Sequence, residues 1–409
     1  MLDRKLKAGW KMWRFDQMAV KVNDRIDDPS QANVDRYVGL EHLDPESLKI
    51  RRWGRPSDVA ATKLLFCKGD IIFGRRRVYQ RKLAVADFDG ICSAHAMVLR
   101  SQPEVALPEF LPFFMQSDTF MNRALEISVG SLSPTINWKT LAKEEFALPP
   151  LEEQRRFAEM LWTIEKYETS LRLTLEGVQI VQRSTAESTM ALAITPDSKI
   201  DPKHMLPKGW RVEHLANIAH IQFSNVDKKT IQSEIPILLC NYMDVYSRDE
   251  INQDIDFMAA SATQREIDKF ALKKGDVLIT KDSETPTDIA VPALVSNNLD
   301  NVLCGYHLAL IRPIAKLIDS CYLFHAFSLA GSRNYFYRMA NGTTRFGLST
   351  DAIKGMPILL PPLVEQIKIV KVLTRCVNSI RYIQRRVSEA NELRTNLLNR
   401  LSSKTPFEE

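Results

Sequence analysis

Eleven basic residues crowd into the 34 positions from Lys49 to Lys82: Lys49, Arg51, Arg52, Arg55, Lys63, Lys68, Arg75, Arg76, Arg77, Arg81 and Lys82. Only Asp58 and Asp70 oppose them, so this stretch carries +9 while the whole 409-residue chain carries +5. Seven of the eleven are arginine. Its planar fork fits two phosphate oxygens, or O6 and N7 of guanine. Trp53 and Tyr79 are interleaved. A charge run is ordinarily a solvated face. The triple Arg75-Arg76-Arg77 directly after the apolar run Ile71-Ile72-Phe73 is harder to explain that way. A local basic segment on a nearly neutral chain is the footprint of a nucleic-acid contact. The expected DNA-contact residues are Arg51, Arg52, Arg55, Arg75, Arg76, Arg77, Arg81 and Lys82.

The signatures of catalysis are missing. No glycine is followed by lysine and no two glycines stand at i and i+2, which excludes the phosphate-binding loops. The seven histidines form no H-x-x-x-H pair, and no Cys/His spacing suits zinc. The D-x-K tripeptides Asp3-Arg4-Lys5, Asp201-Pro202-Lys203 and Asp227-Lys228-Lys229 fall at the terminus, in a proline-rich connection and in a polar stretch. These are poor settings for a metal-dependent nuclease. Both Pro-Pro pairs follow leucine, so the Asn-Pro-Pro-aromatic motif of an amino-methyltransferase is absent. His95 and His307 are expected to be strand residues with satisfied rings.

These residues sit in a duplicated unit. Leu148-Pro149-Pro150-Leu151-Glu152-Glu153-Gln154 returns as Leu360-Pro361-Pro362-Leu363-Val364-Glu365-Gln366, at an offset of 212. Cys92 and Cys304, His95 and His307, and Gly130-Ser131 and Gly342-Thr343 keep that offset. Gly9-Trp10 matches Gly209-Trp210 at 200, and Lys68-Gly69-Asp70-Ile71 matches Lys274-Gly275-Asp276-Val277 at 206. Drift of this kind is what loop insertions produce. In the second copy the arginine cluster is replaced by Lys281-Asp282-Ser283-Glu284-Thr285-Pro286-Thr287, and residues 203–362 are net neutral. Lys281, Ser283 and Thr285 are the expected base contacts there, with Arg333, Arg338 and Arg345 as phosphate contacts. Two copies with different loop chemistry imply an asymmetric, two-part target.

Each copy is expected to have a mixed α/β globular part followed by one long helix. Prolines stop the preceding element and acidic residues suit the helix start. Phe157, Leu161, Ile164, Leu171, Leu175 and Val178 step by 3 and 4, with Glu168 as the polar seam position. Ile369, Leu373, Cys376, Ile380, Ile383 and Val387 do the same at matching positions. A mean step of 3.5 is the coiled-coil period, so the two helices are expected to pack together. About 40 residues make a rod of roughly 60 Å. The expected divisions are globular domain 1–147, helix 148–190, linker 191–206, globular domain 207–359 and helix 360–403. The class is α+β.

Hydrophobic content of 45% and charged content of 26% fit globular domains. Six cysteines without C-x-x-C spacing, no apolar N-terminal core and no membrane-length apolar run predict a cytoplasmic protein without membrane contact.

Taken together, the chain resembles the specificity (S) subunits of type I restriction-modification systems over its full length. The resemblance is carried by Gly9-Trp10 and Gly209-Trp210, and by Gly69 to Arg75 and Gly275 to Lys281. It also rests on Cys304 to Leu310, on Gly342-Thr343-Thr344-Arg345 and on the Leu-Pro-Pro-Leu-x-Glu-Gln junctions. Lys7-Ala8-Gly9-Trp10 departs from the family's usual proline before Gly-Trp, which Pro207-Lys208-Gly209-Trp210 keeps. The resemblance implies two target recognition domains separated by an antiparallel coiled coil that sets the gap between half-sites. It adds Thr343 and Thr344, with Arg345, to the DNA contacts. It implies two methyltransferase subunits as partners and, through the complex, restriction subunits. S-adenosylmethionine, ATP and Mg would sit on those partners, and this chain would hold no cofactor and no catalytic residue. The alternatives are an S-type subunit of a modification-only or related phage-defence system, a nuclease or methyltransferase carrying its own specificity, and a coiled-coil adaptor that binds no DNA.

Overall fold

The computed structural model describes residues 6–45, 47–190 and 206–403. Apart from Leu206, the expected linker lies outside the described residues, as do Asp3-Arg4-Lys5 and Asp201-Pro202-Lys203. The chain forms two compact units. The first comprises 1–173 together with 383–409, and the second 174–382.

In the first unit the apolar run Ile71–Gly74 is one of the two inner strands of a four-stranded antiparallel sheet, ordered Ala19–Val22, Ala96–Ser101, Ile71–Gly74, Leu83–Val85. Side chains alternate across a strand, so a run apolar at every position must be covered on both faces. Ile71 and Phe73 enter a phenylalanine-rich core with Phe15, Phe113 and Phe120. Ile72 enters a separate core with Leu64 and Phe66 from a second four-stranded sheet. The Lys68-Gly69 turn before the strand uses Gly69 at φ +94°. Asp70 is buried and receives Nε and Nη2 of Arg100 at 2.7 and 2.9 Å and the Cys67 amide at 2.9 Å.

The second unit repeats this design. Val277–Thr280 lies inside a five-stranded sheet, with Val277 and Ile279 in one core and Leu278 in the other. Asp276 is held by Arg312 at 2.7 Å from both Nε and Nη2, and accepts from the Lys273 amide at 2.7 Å.

The duplicated motifs meet at the base of each unit. Lys11–Arg14 pairs with Glu145–Leu148, and Arg211–His214 with Pro357–Leu360. The leucines that open the Leu-Pro-Pro-Leu motif therefore end strands, and the helices begin after the prolines, at Leu151 and Leu363. Gly9 and Gly209 take φ +82° and +85°, and a Cβ there would lie 2.9 Å from Pro150 Cγ and 3.1 Å from Pro362 Cγ. Only glycine suits that turn and that approach. Gln154 is buried and latches its helix: its Oε1 accepts from the Leu107 amide, and its Nε2 donates to the Val105 and Pro149 carbonyls. Gln366 makes the same three bonds to Asp319, Leu317 and Pro361.

The long helices, Leu151–Met190 and Leu363–Ser403, pack together. In the first unit Ala158, Leu161 and Ile164 share a core with Ala390, Leu397 and Leu401. Glu165 meets Arg394 at 3.9 Å, and Tyr167 Oη accepts from Arg386 Nε at 3.1 Å, so the two runs are antiparallel there. In the second unit Met190 and Ala186 pack in the core that holds Ile369 and Leu373. All twelve expected seam residues are buried or half-buried. The helix ends also cover the globular cores, so packing on a domain and packing between helices are both realised by one apolar stripe. Glu168, the polar seam residue, is buried, and that burial raises its carboxyl pKa against the opposing pull of Arg394.

Candidate nucleic-acid interface

Each central strand ends in a turn that lies against the glycine-containing segment far along the chain. In the first unit Arg76 bridges to Thr135, and Val129 bridges to Thr135. Ile136 donates to the Arg75 carbonyl at 2.9 Å, and Arg77 donates to the Pro134 carbonyl at 2.8 Å. In the second unit Asp282 pairs with Gly347 and Ser283 with Phe346. Arg76 corresponds to Asp282 by the offset of 206, and Thr135 to Gly347 by 212. The same ribbon is therefore built twice. Gly342 closes the second one at φ +142°, where a Cβ would fall 2.0 Å from the Arg345 carbonyl oxygen.

The histidines join this ribbon, which corrects their expected place within strands. His95 and His307 lie in tight turns, and their carbonyls accept from the Arg75 and Lys281 amides at 3.1 Å. Repeat equivalence was the available signal. The turn geometry that exposes His95 and half-exposes His307 was not readable from spacing.

On the first ribbon Arg76 and Arg77 are exposed. Arg76 Nη1 lies 3.4 Å from His95 Nε2, and Arg77 Nε lies 3.4 Å from Ser133 Oγ. Arg75 is half-buried, with its Nε unpartnered among the described residues. None of the three pairs with a carboxylate among the described residues. Their charge is felt nearby. His95 is held below its ordinary value by burial and by Arg76, Arg75 and Lys63. Lys21 is lowered by burial, Arg75 and Arg25. Lys21 thus lies within reach of the charges of Arg75 and Arg25 although it precedes the charge run.

Other basic candidates are already engaged. Arg51 and Arg52 both pair with Asp44, Arg51 at 3.3 Å. Arg81 donates to the Gln116 carbonyl and to Asp118, both at 2.8 Å, and Lys82 Nζ donates to the Leu40 carbonyl at 2.6 Å. These two fasten the ribbon to its domain. Arg55 is exposed beside the short Pro56–Asp58 turn. The Arg36 guanidinium lies 4.4 Å from the Trp53 ring and 4.3 Å from the Phe88 ring, and the two rings meet edge-on at 5.5 Å.

The second ribbon has different chemistry. Asp282 accepts from Arg345 at 3.0 Å and contacts His307 Nδ1 at 2.9 Å. Lys281 stands 4.5 Å over the exposed Tyr306 ring, and its burial lowers its pKa. Ser283 is buried, while Thr285, Thr343, Thr344 and Arg345 are exposed. Tyr242 is raised by burial first, with Asp288 and Asp282 adding to it, and it stacks on Tyr246 at 5.5 Å. Arg333, in the helix Ala330–Met339, donates to the Ser328 carbonyl at the end of the preceding helix Ser320–Ser328. Among the described residues there is no cluster of three metal-ligating side chains and no helix long and apolar enough to cross a membrane.

Comparison with known proteins gives this geometry a context. The family described as "Type I restriction modification DNA specificity domain" matches residues 59–176 and 207–392. The chain is 26% identical over 214 residues to the type I restriction enzyme EcoDI specificity subunit of Escherichia coli, over 50% of this chain and 44% of that one. It is 23% identical over 323 residues to the EcoKI specificity subunit of E. coli K12, over 76% of this chain and 68% of that one. The match thus spans less than half the length of the EcoDI subunit. Among solved structures, a type I restriction-modification S subunit from M. genitalium aligns with TM-score 0.61 at 13% identity, covering 100% of this chain and 98% of that one. A chain from a study of type I system assembly aligns with TM-score 0.55 at 21% identity, over 97% and 98%. These two likenesses concern the fold.

Proposed function

Given that this chain belongs to the type I restriction-modification DNA specificity family, we propose that it is the subunit that selects the DNA target of such a complex. Each ribbon reads one half of a two-part, asymmetric sequence. The paired helices set the distance between halves and dock two methyltransferase subunits, through which restriction subunits join. S-adenosylmethionine, ATP and Mg are held by those partners, and the chain itself performs no catalysis and works in the cytoplasm. The observation that carries this reading is the duplicated ribbon, with exposed Arg76 and Arg77 on one copy and Arg345 on the other. Exposed guanidinium groups suit phosphate and guanine contacts, Arg76 and Arg77 without a carboxylate partner among the described residues and Arg345 from its pair with Asp282.

The test is Arg75→Ala, Arg76→Ala and Arg77→Ala together in the assembled complex. DNA affinity falls, and the slope of log K against log salt becomes shallower by about 0.9 for each phosphate that is no longer neutralised. An unchanged affinity and slope would return the chain to the adaptor class. Mapping methylated adenines left by the complex gives both half-sites and the spacer.

A further inference from the structure

Beside the arginines, the first ribbon carries an apolar feature that core packing does not explain. Leu132 is 91% exposed and Val129 is 78% exposed. Both lie on the hairpin from 129 to 135, and that hairpin is closed at its base. Val129 and Thr135 exchange two backbone hydrogen bonds at 3.0 Å, Thr135 Oγ1 donates to the Ser133 carbonyl at 3.0 Å, and Pro134 fixes the backbone between them. The same Thr135 bridges to Arg76, so the tip is placed by the ribbon that presents the guanidinium groups. Single exposed leucines are common on protein surfaces. A nearly naked leucine on the hairpin tip, flanked by Ser131 and Ser133 and next to arginines without carboxylate partners among the described residues, is positioned to meet whatever the arginines bind.

We propose that Leu132 is an apolar finger that packs against a thymine methyl group in the major groove of the half-site read by the first unit. This rests on the DNA-reading function proposed above. The thymine methyl is the apolar group a duplex displays in that groove. Wedging the leucine into the base stack would cost a few kcal/mol of unstacking, about what burying one leucine returns. Packing on a base edge carries no such cost. The second ribbon has Thr344 and Asn341 at the positions matching Leu132 and Val129, so the two units differ in this feature.

The experiment uses the complete complex and a duplex selected by it from a random 40-base-pair pool, prepared with thymine or with deoxyuridine throughout. Wild type is expected to bind the thymine duplex about 4-fold more tightly for each methyl that Leu132 covers. Leu132→Ala is expected to reduce that thymine-to-uracil ratio by the same factor while leaving the melting curve unchanged. A ratio identical in wild type and Leu132→Ala overturns the assignment, including the case in which the variant weakens both duplexes equally, as a wedge would. Arg76→Ala with Arg77→Ala is the control for the underlying reading. If that variant binds like wild type, DNA reading by this ribbon falls, and the finger with it. If it weakens binding while the ratio is indifferent to Leu132, only the finger falls.

Discussion

Arg77 and Arg81 flank the short Val78–Gln80 turn, and both hold left-handed backbone, at φ +57° and +51°. That conformation costs a non-glycine residue roughly 1 kcal/mol or more and persists where the surroundings enforce it. Buried Val78 and the Arg81 bonds to Gln116 and Asp118 supply the enforcement, leaving Arg77 to project. Beside it, the His95 ring is held below its ordinary value by its partial burial and by its neighbours Arg76, Arg75 and Lys63. An approaching phosphate reverses that field, so binding takes up a proton. Affinity for DNA should therefore rise as pH drops from 7.5 to 6, and His95→Gln should flatten the dependence, as measured by titration at fixed salt. His325 gives a stability effect of its own. Burial lowers its folded pKa to about 4 from an ordinary 6.5. A depressed histidine favours the neutral form in the fold, so its stability contribution is complete above pH 6.5 and is lost as pH falls from 6.5 toward 4. The loss is at most about 3 kcal/mol. Urea melts at pH 7 and 4.5 should show it, and His325→Gln should reduce the difference.

At the scale of elements, the Leu-Pro-Pro-Leu-x-Glu-Gln junction is the part whose sequence says most and whose reason is tertiary. The prolines predict where the strand stops and the helix begins. Nothing in the spacing says that the glutamine reaches back to a loop 47 to 49 residues earlier. Gln366→Leu strands the Asp319 amide and the Leu317 and Pro361 carbonyls in a dry site. It should cost about 3 kcal/mol or more, read as a lower denaturant midpoint. Gly209→Ala should cost about 1–2 kcal/mol, because it needs both a positive φ and a shift of Pro362. The pairing of the two long helices was legible because their apolar residues repeat at matching 3.5-residue steps. The places of Lys21, Tyr242 and Tyr246 were not, because each reaches its ribbon only through the sheet or helix that carries it.

For the whole molecule, under the proposed function, two ribbons of unlike charge predict that the halves of the target contribute unequally to salt dependence, the first unit dominating. The helices impose a second consequence under the proposed function. Removing four residues from each long helix shortens the paired rods by about 6 Å, close to two base pairs at 3.4 Å per step. The methylation pattern of such a complex should keep both half-sites and lose about two positions from the spacer. Altered half-sites with an unchanged spacer would sink the ruler.

What the linear order alone determined is the duplication, the class of the fold, the two paired helices with their apolar period, and the concentration of arginine near residue 76. These depend on period, offset and composition, which survive in one dimension. The tertiary structure alone decided which cations stay available. Arg51, Arg52, Arg81 and Lys82 are spent on Asp44, Asp118 and main-chain carbonyls, whereas Arg76 and Arg77 face a segment some 60 residues away that offers no carboxylate. A charge is neutralised by what lies within a few ångströms of it, and that neighbourhood is created only when the chain folds.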